Sequence, residues 1–196
     1  MMRIWLLLVI VMNIVPKLDA QERLVRFGVI GGAQLSTISG TTGSQSSKLG
    51  YNIGVTMDYG LAATYMKLGL ILTHSGVEIK DGDITQTANL TYLKFPLHVA
   101  YRVGIGENKR LVFTGGPYLA YGFAGKWTGN GPNRGRSVFS GDSFIKFDYG
   151  LELTAGAEFG KIVVETGATF GIPNINNQSH DKQKTQSYHL SLGYKF

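Results

Sequence analysis

Apolar and polar residues alternate along most of the chain. The clearest run extends from Leu93 to Val103, where every second side chain is apolar and the side chains between them are mostly polar. A repeat of two residues is the mark of a β-strand whose two faces meet different surroundings. The same alternation recurs after Ile145 and again from Tyr188 to Phe196. We therefore predict strands with one apolar and one polar face.

Weaker alternation raises the number of predicted strands to eight, through the segments 24–36, 49–59, 63–74, 110–125 and 161–172. The connections alternate in length. Short turns are predicted near 58–60, 104–108 and 160–161, and longer polar loops over 37–48, 75–86, 126–142 and 173–184. Short turns at one rim and long loops at the other are typical of an up-and-down β-barrel. The predicted fold is an all-β, eight-stranded antiparallel barrel.

Alternation alone does not tell which face of the barrel is outside. A soluble lipocalin-like barrel would hold its apolar side chains inside, but about five large apolar residues per strand exceed the interior of an eight-stranded barrel. The polar face also carries glycines that would weaken solvent-facing strands but leave room in a narrow lumen, namely Gly28, Gly32, Gly54, Gly69, Gly116, Gly122, Gly150, Gly156, Gly167, Gly171 and Gly193. We therefore predict that the apolar face points outward.

Aromatic residues on the apolar face support a membrane barrel. One group falls at the strand ends near the short turns, and a second group falls near the long loops: Tyr59, Tyr101, Phe159 and Phe196, and then Tyr51, Phe123, Phe147, Phe170 and Tyr188. Two aromatic girdles that flank an apolar band are expected of a transmembrane β-barrel.

The first twenty residues have the three parts of a secretory signal. Arg3 gives a positive start, an apolar run extends from Ile4 to Val15, and a short polar segment ends at Ala20. The run is shorter than the roughly 20 residues that a membrane-spanning helix needs. We predict a signal peptide over 1–20, cleaved after Ala20, and a barrel domain over 21–196; an uncleaved anchor is the alternative.

Composition narrows the class of protein further. The 196 residues support a single folded domain, and only 16% are charged while 27 are glycine and none is cysteine. The net charge of +6 does not indicate nucleic-acid binding, because Lys and Arg form no run or stripe.

Several segments resemble the PorT-like porin family of outer-membrane barrels typical of Bacteroidota. They are YLKFPL at 92–97, GPYLAYG at 116–122, FDYGL at 147–151, GAEFG at 156–160, FGIPNI at 170–175 and LSLGYKF at 190–196. The resemblance implies an integral outer-membrane barrel whose last strand resembles the signal read by the barrel-assembly machinery. It implies no transport substrate, although some members resemble accessory components of a secretion system. Pro173 departs from the family pattern at the end of one strand.

Five charged residues are predicted on the lumen face: Arg26, Lys67, Lys94, Glu152 and Glu165. They are either a selectivity ring or an interlocked plug of ion pairs. We expect the plug, because an eight-stranded barrel leaves little open bore and buried charges need partners. Pro96 lies within a predicted strand and cannot donate to the ladder, so we expect a bulge or local break there.

No catalytic, metal or cofactor site is predicted. Ser179, His180 and Asp181 are the residue types of a hydrolytic triad, but three consecutive loop positions cannot give the geometry of one. The histidines show no metal-ligand spacing. The best candidate for contact with outside partners is the longest loop, 125–135, with Trp127, Arg134 and the nearby Arg136. The alternative is a mobile loop whose cations meet anionic lipid headgroups.

The sequence thus predicts a non-enzymatic, monomeric outer-membrane barrel with a structural or surface-interaction role and a plugged lumen. Its expected partners are outer-membrane lipid and the barrel-assembly machinery, and the partner of its loops is not identified. Two alternatives stay open. One is a narrow pore for ions or small solutes, and the other is a soluble periplasmic lipocalin-like binder.

Overall fold

The structure, a computed structural model, describes residues 24–39, 45–60, 63–81, 84–130, 134–139, 146–173 and 184–196. The predicted signal peptide, its cleavage site and Ser179 to Asp181 lie outside these residues. Eight strands are present: β1 Leu24–Ser39, β2 Gln45–Gly60, β3 Thr64–Asp81, β4 Ile84–Gly106, β5 Lys109–Gly129, β6 Phe147–Phe159, β7 Ile162–Gly171 and β8 Lys184–Lys195.

The strands form one closed barrel in chain order, with every neighbouring pair antiparallel and β8 pairing with β1. The predicted eight-stranded up-and-down barrel is therefore confirmed. Closure pairs the strands all round and leaves no sheet edge. Within the described ranges, no helix is long and apolar enough to cross a membrane.

The strands are tilted to the barrel axis. Paired residues can be followed from one strand to the next around the barrel. The series begins with Arg26, Asp58, Lys67 and His98, and it continues on the later strands with Glu152, Thr169 and Ser187. It returns to β1 at Ser36 instead of Arg26. Such a stagger is what closes a sheet of tilted strands.

The hairpin of β3 and β4 is longer than the sequence predicts. Residues 75–86 were expected to form a loop, but β3 continues to Asp81 and β4 begins at Ile84. The ladder continues there as far as the pair Asp81 and Ile84. Ser75, Gly76 and Asp81 favoured a loop, although Val77 and Ile79 still alternate with Glu78 and Lys80.

The apolar face points outward. On β4, Leu97 is 43% exposed and Val99 is 62% exposed. His98, which lies between them, is only 3% exposed, and Lys94 on the same face as His98 is 7% exposed. The interior is therefore the polar side. A soluble lipocalin-like barrel would have the opposite arrangement. The aromatic residues predicted for the two girdles are all exposed on the outer wall: Tyr51, Tyr59, Tyr101, Phe123, Phe147, Phe159, Phe170, Tyr188 and Phe196.

Gly32 shows why the lumen face needs glycine. A Cβ atom at this position would lie 2.1 Å from the carbonyl oxygen of Leu190 on the paired strand β8. Backbone atoms cannot move away without breaking the ladder. Gly31 faces outward, and a Cβ there would find its nearest atom at 3.5 Å.

Pro96 sits beside a local break and causes no shift of register. Pairing between β3 and β4 stops at Leu68–Leu97 and resumes at Ile71–Lys94 in the same register. The proline ring faces the lumen and fills the space over Gly69, where an added Cβ would lie 2.9 Å from the proline Cγ. Of the two expected outcomes, the structure has the local break.

Candidate functional site

The five predicted lumen charges all lie on the inner wall, and four of them form two pairs. Lys67 contacts Glu165 directly. The Nζ atom of Lys94 lies 2.6 Å from a carboxylate oxygen of Glu152. Each of these four residues is at most 8% exposed. We name them the central pairs; both cross the lumen between strands that are not neighbours.

The fifth residue, Arg26, belongs to a separate group. It lies 3.0 Å from Asp58 and 3.1 Å from Glu158. Lys195 reaches Asp58 at 2.7 Å, and Arg102 reaches Glu158 at 3.0 Å. These five residues, the rim cluster, lie at the end of the barrel where the short turns are. Short turns face the periplasm in outer-membrane barrels.

The sequence analysis did not single out four members of the rim cluster. Three of them are Arg102, Glu158 and Lys195, each at a polar position of a strand in which apolar and polar residues alternate. That alternation already placed them on the lumen face. Asp58 was expected in a turn, but β2 extends to Gly60 and includes it. The guanidinium carbon of Arg102 also lies 4.3 Å from the centre of the Tyr65 ring, a cation–π contact.

Hydroxyl and imidazole groups fill the spaces beside the central pairs. Thr114 hydrogen-bonds Thr154 at 2.8 Å and His98 at 3.3 Å. His189 lies 4.0 Å from the second carboxylate oxygen of Glu152. Since isolated buried charges are costly, and removing one partner of a buried pair costs about 3–5 kcal/mol, the lumen depends on this complementarity.

An apolar group, the mouth cluster, packs against β4 and β5 near the end of the barrel with the long loops. It contains Ala88, Leu90 and Tyr92 of β4, Trp127 of β5, and Val138 and Phe139 from the segment after β5. Backbone hydrogen bonds hold that segment against β5: the Trp127 N–H donates to the Arg136 carbonyl at 3.0 Å, and the Gly135 N–H donates to the Trp127 carbonyl at 2.9 Å. The Phe139 ring meets Tyr92 edge-on, with ring centres 5.9 Å apart.

Trp127 corrects one prediction. It was expected in an exposed loop, but it lies within β5 and is only 8% exposed. The register between β4 and β5 shifts beside Tyr92, where Phe123 is an extra residue on β5. The extra residue of a bulge reverses which positions face inward. Arg134 and Arg136, predicted with Trp127, are exposed.

The rim cluster, the central pairs and the mouth cluster thus lie at three levels along the barrel. Among the described residues, no group of three or more His, Cys, Asp or Glu side chains could hold a metal ion. An apolar outer wall around a polar, filled interior is the arrangement of a small barrel embedded in lipid.

A family model for the outer membrane protein β-barrel domain matches residues 19–177. The chain belongs to this family. This outer-membrane barrel is similar in fold to Ail, the attachment invasion locus protein of Yersinia pestis, in complex with the heparin analogue sucrose octasulfate (15% identity, TM-score 0.50, covering 88% of this chain and 99% of Ail). No protein of curated function matches it in sequence.

Two other solved barrels extend the comparison. Neisserial surface protein A has 12% identity and a TM-score of 0.50, with 87% of this chain and 97% of that protein covered. The outer membrane enzyme PagL has 12% identity and a TM-score of 0.43, with coverage of 85% and 98%. The similarity to Ail and to Neisserial surface protein A, at 15% and 12% identity, shows the fold alone.

Proposed function

We propose that this protein is a closed, non-enzymatic outer-membrane barrel that acts through its outer wall and its long loops. The observation that carries this proposal is the filled lumen. The rim cluster and the central pairs place nine mutually compensating charged residues across the bore. The mouth cluster adds buried apolar side chains beyond them, on the β4 and β5 side of the barrel.

An ion crossing this lumen would meet two unlike barriers. It would first have to displace salt bridges such as Lys94–Glu152, whose nitrogen and oxygen are 2.6 Å apart. It would then have to pass side chains such as Val138, which is 0% exposed and offers no polar group. Ion pairs that satisfy one another give a crossing ion nothing to bind in place of its water.

Planar-bilayer recording tests the closed lumen. We expect the folded barrel to give no single-channel steps, with folding checked by its faster gel migration before boiling. Steps in the wild type that change size in Lys94→Ala or Glu152→Ala would overturn the closed lumen and favour the narrow-pore alternative. A matched control is Leu97→Ala, which alters the outer wall alone.

We propose that the protein is a monomer whose outer wall contacts lipid. We also propose that the end with the long loops contacts an anionic partner at the cell surface. Exposed cations gather beside the mouth cluster at Lys126, Arg134 and Arg136. Lys126 forms an isolated bridge with Ser137, next to Arg136. Binding of the intact barrel to a sulfated polysaccharide, and its loss in Arg134→Ser with Arg136→Ser, tests this; equal binding by both proteins would count against it.

The outer wall holds one contact that resembles part of a catalytic site. The His74 Nδ1 atom lies 3.0 Å from the Thr91 hydroxyl, and the His74 ring stacks on Tyr51 with centres 5.2 Å apart. No carboxylate of the described residues contacts this histidine, so the orienting third group of a hydrolytic triad is missing there. We therefore assign the contact to the aromatic girdle, where amphipathic rings favour the headgroup level.

Export and assembly complete the proposal. We infer cleavage after Ala20, which N-terminal sequencing of the membrane-extracted protein checks directly. The outward residues from Tyr188 of β8 to Phe196, which follows β8, are proposed to be read by the barrel-assembly machinery. The finer assignment to the PorT-like group rests on the resemblance of the segments at 92–97 and 116–122.

A further inference from the structure

A small polar cavity lies inside the barrel between the central pairs and the mouth cluster. Its volume is about 40 Å³, and its wall includes Gln34, Ser36, Asp148, Thr169, Thr185 and Ser187. A water molecule needs roughly 10–15 Å³ measured in this way. The cavity therefore has room for a bound ion or a few waters, but not for an organic ligand.

Asp148 differs from the other buried acids of the described barrel. Asp58, Glu152, Glu158 and Glu165 each contact a lysine or arginine. Asp148 is 8% exposed and forms no salt bridge with a described residue; its Oδ2 atom accepts a hydrogen bond from the Tyr118 hydroxyl at 3.1 Å.

Two polar atoms of the cavity wall lack a hydrogen-bond partner. They are Oδ1 of Asp148 and the hydroxyl oxygen of Thr169, both buried. Thr169 is 6% exposed. Oδ1 lies against Gly171, where an added Cβ would approach it to 3.2 Å. Buried polar atoms are rarely left without a partner in native proteins, and those that no protein group satisfies bind a water or an ion.

We propose that this cavity binds one monovalent metal cation such as Na⁺, with Asp148 as its charged ligand and Thr169 as a neutral ligand. A carboxylate without a counter-charge favours a cation, and the surrounding hydroxyl and amide oxygens are the donors that hard cations take. The site carries a single carboxylate. Lys94 also lines the cavity, and its charge is compensated by Glu152, so a second positive charge on the ion would remain unbalanced.

Urea unfolding in two salts of equal ionic strength tests the proposal. Sodium chloride is compared with choline chloride, because choline is too large for the cavity. A cation that binds only the folded state raises stability by mass action. We expect a higher urea midpoint in sodium chloride, and no difference between the salts for Asp148→Asn. Equal midpoints for the wild type, or an equal sodium effect in the variant, would overturn the proposal.

A second variant keeps the test decisive if Asp148→Asn does not fold. Thr169→Val removes the unpartnered hydroxyl without changing charge, and it should raise the sodium concentration that gives half of the stabilisation. Thr166→Val is the matched control, because Thr166 lies on the same strand but is exposed on the outer wall. An unchanged sodium dependence in Thr169→Val, or the same change in both variants, would overturn the assignment.

Discussion

Leu153→Arg tests the outward assignment of the apolar face most directly. Leu153 is the central residue of β6, which runs from Phe147 to Phe159, and its side chain is 59% exposed on the outer wall. If this wall meets acyl chains, the substitution places a charge in hydrocarbon. If the wall met water, the same substitution would be nearly neutral.

The position of Leu153 sets the magnitude. Half of β6 rises about 20 Å along the strand, and a tilt of roughly 40° reduces this to about 15 Å along the barrel axis. Leu153 is therefore near the middle of an apolar band about 25 Å tall, where arginine costs about 2–4 kcal/mol of unfolding free energy. Phe159→Arg, at the girdle, should cost only about 0–1 kcal/mol.

Reversible urea unfolding of the barrel in lipid vesicles measures both values, with Trp127 fluorescence as the signal. The difference between the two variants is the informative quantity, because both add the same charge to the same strand. Equal costs for Leu153→Arg and Phe159→Arg would refute the depth-dependent contact with lipid that the argument assumes.

Three further predictions concern the interior. Lys67→Met should lower the free energy of unfolding by about 3–5 kcal/mol in the same urea experiment, because it leaves the buried Glu165 carboxylate without its partner. Adding Glu165→Leu should recover most of that loss, and no recovery would contradict the pairing. Gly32→Ala should abolish the fast-migrating folded band on unboiled gels, whereas Gly31→Ala should keep it; two folded proteins would contradict the close strand approach. Gly122→Val should displace the mouth cluster, because a Cβ at this position would lie 2.3 Å from an aromatic atom of the cluster. The tryptophan fluorescence of the folded barrel should then shift to the red, and an unchanged spectrum would contradict the packing of the cluster against β5.

The barrel could be predicted from sequence because lipid and lumen impose opposite demands on alternate residues. This is clearest in β4, where Leu97 and Val99 face out and His98 faces in. The signal weakens beyond His74, where Ser75 and Gly76 precede only two apolar residues of β3, Val77 and Ile79. The length of the hairpin between β3 and β4 was therefore not predictable from hydrophobicity, although its backbone pairing continues to Asp81 and Ile84.

The site was predictable as a set of inward charges but not as a set of partners. Alternation places Glu158 and Lys195 on the lumen face, yet it contains no information on which strands meet across the bore. Partners follow from stagger and side-chain reach, as in the contact of Lys195 on β8 with Asp58 on β2. The burial of Trp127 was missed for a different reason, since one extra residue in β5 reverses the inward positions without disturbing local composition.

The contact between Lys195 and Asp58 joins β8 to β2, across β1. A nascent chain that stops short of β8 would leave Asp58 without this lysine. Because β8 also pairs with β1, closure of the barrel and formation of the contact between Lys195 and Asp58 depend on the same strand. A product that stops before β8 would keep Arg26 and Arg102 beside Asp58 and Glu158, but it would lose the third cation of the rim cluster together with the strand that closes the barrel.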